Sequence, residues 1–142
     1  MSYINSKTSP IFTDIALLIV RLFVGFAMLS HGFPKLQMLL DGGEVKFFDF
    51  LGLGPQISLI LTVFAEFVCS IFLILGLFTR IAVGFLIFTM FIAGFVVHSA
   101  DGFDKREISL LYLSIYLLLM AIGSGRMSVD GMIEKRKRTS QW

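Results

Sequence analysis

Between Phe50 and Thr79 the chain carries one charged side chain, Glu66, near the middle of the apolar run ISLILTVFAEFVCSIFLILGLF. A run of that length can cross a hydrocarbon core, which takes about 20 residues of helix. A carboxylate near the bilayer centre is costly unless it is paired, protonated or turned toward an internal cavity. Arg21 poses the same problem in the first apolar run, ALLIVRLFVGFAMLSHGF. Composition points the same way: 56% hydrophobic and 15% charged residues exclude a disordered chain and disfavour a soluble domain.

Four segments are long and apolar enough to be spans, at about 14–33, 55–78, 81–99 and 107–123, followed by a basic tail over 124–142. Pro34 disfavours helical geometry at Phe33 and is expected to end the first span. The loop that follows contains KFFDFLGLG, which reads as a short amphipathic segment at the interface. Thr79 and Arg80 make a tight turn between the second and third spans, and Gly123-Ser124-Gly125 ends the fourth. Strand alternation is absent, so a membrane β-barrel is disfavoured. The expected fold is all-α, an integral membrane four-helix bundle in one domain with short loops. An even number of spans puts both termini on one side with the Phe78–Ile81 turn. That side carries Lys7, Arg80, Arg126, Lys135, Arg136, Lys137 and Arg138, against Lys35, Lys46, Lys105 and Arg106 on the other. The excess of basic residues predicts that both termini are cytoplasmic.

On the second span Thr62, Glu66, Cys69 and Ser70 fall on one helical face, a polar stripe suited to the interior. The reach of a guanidinium makes an Arg21–Glu66 pair feasible if the two faces meet. A second cluster is expected at the outer end, where His31, Lys35, His98 and Glu107 arrive from three helices. Tyr112 and Tyr116, at i and i+4, add hydroxyls further in. The plain structural readings are an ion pair that locks packing, interfacial histidines, and Glu107 as a helix-dipole partner. Convergence favours function: an internal acid, an internal base and outer histidines suit proton-coupled chemistry.

Other site classes are weaker. Cys69 is the lone cysteine, which excludes an intrachain disulfide, a CxxC pair and a cysteine-rich metal or iron–sulfur site. His31 and His98 are the two histidines, so a bis-histidine haem would have no spare ligand and is disfavoured; structural zinc is weaker still. No metal site is expected. The basic tail reads as topogenic and lipid-facing, with no nucleic-acid role. The first apolar run contains Arg21 and lacks a small-x-small cleavage site before Lys35, so it reads as a retained helix.

Three segments, RLFVGFAMLSHGFPKL, AEFVCSIFLILGLFTRIA and EISLLYLSIYLLLMAIGSGRMSVDG, together resemble the DoxX family of small bacterial membrane proteins, which includes the small subunit of thiosulfate:quinone oxidoreductase. The resemblance implies four membrane helices in a bacterial inner membrane. It carries Arg21, His31, Gly32, Lys35, Glu66, Gly76, Arg80, Glu107, Arg126 and Asp130 as family-pattern positions. It also implies an accessory or quinone-interacting subunit of a membrane redox system. In that reading Glu66, Arg21 and His98 are the candidate catalytic groups, and His31, Lys35, Glu107 and Tyr112 bind the quinone. The expected partners are the lipid bilayer, a redox subunit and further copies of the chain. Two alternatives stand beside it: a non-catalytic scaffold for a partner protein, and a small-solute or proton carrier working as an oligomer.

Overall fold

The computed structural model describes residues 10–50 and 52–140, and these are all-helical, without strands. Five helices follow one another: α1 (Pro10–Leu40), α2 (Pro55–Leu75), α3 (Thr79–Val97), α4 (Phe103–Ile122) and α5 (Val129–Thr139). The first three are long and apolar enough to cross a membrane. In α4 the acidic and basic residues Asp104 to Glu107 are crowded into the first turns, leaving an apolar stretch from Ile108 to Ile122. The expected start of the chain, Met1 to Thr13, lies mostly outside the described residues.

Helix α1 packs along α2, α2 meets α3, α3 runs beside α4, and α4 makes a lighter contact back on α1. Val24, Met28, Leu73, Val83, Leu86, Tyr116 and Leu119 are buried where these helices meet. The large apolar side chains left outside include Phe23, Phe26, Phe85, Phe88, Leu117 and Leu118. For helices in water this would be an unusual surplus of exposed apolar surface; for spans it is the lipid-facing surface.

Several boundaries differ from the sequence reading. Helix α1 runs through Pro34 to Leu40. Proline removes one ladder hydrogen bond, yet the turn beyond it is held, because Lys35 is tied to Glu66 of α2. In the segment expected to be amphipathic, 46–54, residues 46–50 have no regular structure and fold over the helices instead. The basic tail is not featureless: Ser128 caps α5 by accepting the Gly131 amide at 3.0 Å.

Two helices depart from α geometry in mid-course. Residues Phe64–Cys69 of α2 and Ala93–Val97 of α3 are π-helical. A π segment fits extra chain into a turn and is found frequently at functional sites. Gly32 explains how α1 lies so close to the first of them. A Cβ there would stand 2.8 Å from the Glu66 carbonyl carbon. In the second, Arg106 of α4 donates to the Gly94 carbonyl at 3.0 Å and lies over the Phe95 ring.

Candidate functional site

Glu66 lies halfway along α2, roughly 15 Å from either end at 1.5 Å per residue. It is 3% exposed, and its Oε2 accepts from Lys35 Nζ at 2.5 Å. The pair lines a cavity of about 340 Å³ enclosed by α1, α2, α3 and the segment 47–50. Six phenylalanines contribute to its walls: Phe47, Phe48, Phe50, Phe64, Phe85 and Phe88. Phe64 packs edge-to-face on Phe85 at 5.3 Å, and Phe50 on Phe88 at 6.4 Å. Thr62 and Thr89 add hydroxyls that already donate to their own helices, at Ser58 O and Phe85 O. Both π segments border the cavity, through Phe64–Glu66 on one side and Ala93 and Val97 on the other.

His98 reaches the same cavity from the end of α3. Its Nδ1 is 2.7 Å from Asp101 Oδ2, with Lys105 3.5 Å from the other carboxylate oxygen. The His98 hydrogen bond, aided by Lys105 and opposed by partial desolvation, holds the Asp101 carboxyl below the usual aspartate range. An ionised Asp101 can only accept, so Nδ1 carries a proton and Nε2 is left for a ligand. The cavity therefore brings a lysine, a carboxylate and an oriented imidazole to otherwise largely apolar walls.

Of the residues expected at the site, Lys35, Glu66 and His98 share this cavity. His31 and Tyr112 do not line it. They form a separate aromatic series, His31 edge-on to Tyr112 at 6.2 Å and Tyr112 stacked on Tyr116 at 5.9 Å. Tyr116 is fully buried with its hydroxyl unpartnered among the described residues. Glu107 is exposed on α4, away from the cavity. The outer cluster of four groups is thus divided: Lys35 and His98 line the cavity, His31 faces Tyr112 of α4, and Glu107 is exposed.

The expected Arg21–Glu66 pair does not form. Arg21 is 2% exposed and donates to the carbonyls of Ser124 at 2.6 Å and Met127 at 2.8 Å. A Cβ at Gly76 would lie 2.9 Å from its guanidinium carbon, so Arg21 stands level with Gly76, ten residues and about 15 Å beyond Glu66. Gly76 ends α2 in the left-handed conformation, φ 68°. Around it the segment 123–131 forms a latch. Asp130 accepts the amides of Phe78 and Thr79, both at 2.9 Å, and its own amide donates to Gly76 O. This holds Phe78 at φ 46°, a conformation that costs a non-glycine residue roughly 1 kcal/mol. Asp14 of α1 accepts the Arg126 amide at 2.9 Å.

Sequence reasoning missed Asp101, and it named Asp130 and the loop phenylalanines without their roles as a helix cap and as cavity walls. Only Asp101 carried a local signal, an acid three residues after a histidine. The others depend on contacts between segments far apart in the chain.

Residues 16–99, more than half the chain, match the family model described as DoxX. A protein of Haemophilus influenzae, described as uncharacterized, is 24% identical over 145 residues, covering 97% of this chain and 96% of its own length. No solved structure matches. The matched region includes Arg21, Lys35, Glu66 and His98, and with three apolar helices of spanning length it shows that this chain is a membrane protein of the DoxX family.

Proposed function

We propose that the protein holds the ring of a quinone in the cavity between α1, α2 and α3, as an accessory subunit of a membrane redox system. One observation carries the reading: the Lys35–Glu66 ion pair and His98 share a phenylalanine-lined cavity at mid-depth of α2. A volume of about 340 Å³ lies at the lower end of the range for small-molecule sites and suits a head ring without its tail. Leu61, Phe64, Phe85 and Phe88 are exposed beside it, which gives an isoprenoid tail an apolar way out into lipid. Lys35 Nζ can donate to a quinone carbonyl oxygen, His98 Nε2 can accept from a quinol hydroxyl, and Glu66 can pass on in turn the two protons that accompany two-electron reduction or oxidation. Electrons would pass to or from a partner subunit.

In this reading α4 is the fourth span of a four-helix bundle in a bacterial inner membrane. The latch, α5 and both termini lie on the cytoplasmic side, and oligomer formation stays compatible with the exposed faces. Arg21 serves the architecture, and His31, Tyr112 and Glu107 lie outside the binding group.

The test is mass spectrometry of small molecules extracted with the protein purified in mild detergent, alongside its Glu66→Gln and His98→Ala variants. Quinone retained by the wild type and lost by both folded variants is the expected result. No quinone in any sample would overturn the reading and favour a scaffold, to be followed by identifying its partner.

A further inference from the structure

The other end of the molecule holds a second, larger groove of about 1200 Å³, bounded by the start of α1, the start of α3, the end of α4 and the latch. Its acidic groups are already committed. Asp130 takes two backbone amides, Asp14 takes the Arg126 amide, and Glu134 is paired with Arg138. Arg80 and Lys135 line the same groove and have no carboxylate partner among the described residues. Thr79, 1% exposed, lies at its wall with a buried hydroxyl that makes no hydrogen bond among the described residues. Leu17, Ile122 and Met132 provide an apolar side.

We infer that this groove binds the phosphodiester headgroup of an anionic membrane lipid. Arg80 and Lys135 supply the countercharge from two different elements. Position selects a lipid over a free anion. The groove opens where α3 begins and α4 ends, the level at which apolar spans give way to headgroups, and its apolar side can receive the first carbons of an acyl chain. Exposed Met132 and Ile133 on α5, next to Lys135 and Arg136, continue the same amphipathic surface.

The experiment is thermal unfolding of the purified full chain in mild detergent, titrated separately with phosphatidylglycerol, phosphatidylcholine and inorganic phosphate. Phosphatidylglycerol should raise Tm saturably, and the other two should not. Because each basic group contributes on the order of one tenfold step or less near an anionic surface, Arg80→Gln with Lys135→Gln should weaken the apparent lipid affinity about tenfold or more. Both side chains reach solvent, so the double variant should fold, and a Lys46→Gln/Lys105→Gln control at the opposite end should bind as the wild type. Equal stabilisation by phosphate alone, equal stabilisation by phosphatidylcholine, no response to phosphatidylglycerol, or equal loss in the control pair would each overturn the inference. The quinone measurement reads the other end of the molecule, so either result stands without the other.

Discussion

Two charged side chains are buried almost equally deeply, Arg21 at 2% and Glu66 at 3% exposure, yet their surroundings differ in kind. Arg21 is fixed by backbone carbonyls, in a latch where Asp130 and Asp14 are also spent on backbone amides. Such partners cannot move without moving the chain. Glu66 is met by one flexible lysine that is still 29% exposed, and it borders a cavity. That partner can turn away and let a ligand take its place. Burial of a charge therefore does not separate architecture from function here; the nature of the partner does.

The largest effect should follow from breaking the latch at its centre. Arg21→Ala removes two charge-assisted hydrogen bonds and leaves two carbonyls poorly satisfied, a loss of about 3–5 kcal/mol. Thermal unfolding in detergent should show a fall in Tm of roughly 10 °C. Gly32→Ala should come next, since its methyl would collide with the Glu66 backbone. Separating α1 from α2 should cost about 1–3 kcal/mol; unlike a latch variant, it should also impair quinone retention. Asp130→Ala removes the caps on α3 and should cost about 1–2 kcal/mol. Faster amide exchange at Phe78 and Thr79 and across 129–139, with the cavity-lining residues unchanged, is the expected signature.

The smallest effect concerns Asp101. Its carboxyl is held below the ordinary value of about 3.9, so its stabilising contribution is complete above that value and disappears as pH falls through the lower, folded-state value. Asp101→Asn should therefore flatten the acid limb of the stability profile slightly. At neutral pH it should act mainly on ligand retention, by releasing the orientation of His98. An unchanged affinity would remove His98 from the binding group.

What was legible in the chain followed from local chemistry. The apolar runs marked α1, α2 and α3, Gly123 marked the end of α4, and the stripe Thr62, Glu66, Cys69, Ser70 is buried as its spacing implied. Gly32 and Gly76 stood out in the family resemblance, but their meaning lies in the contacts that set depth. Gly32 brings Lys35 down to Glu66, and Gly76 brings Arg21 to the latch. A helical wheel gives faces, and it gives no relative sliding of one helix on another. The continuation of α1 through Pro34 was hidden for a similar reason, since the ion pair that supports it crosses to another helix. The π segments carry no periodic signal of their own over five or six residues.

The separation of roles is most directly tested by measuring Tm and the affinity for a short-chain quinone side by side in the wild type, Arg21→Ala and Glu66→Gln. Opposite patterns are expected: Arg21→Ala loses stability while its folded fraction keeps affinity, and Glu66→Gln, whose amide oxygen can still accept from Lys35, keeps a Tm near that of the wild type while affinity falls about tenfold or more. Two variants that lose stability and affinity together, or a Glu66→Gln protein that binds as the wild type does, would contradict it.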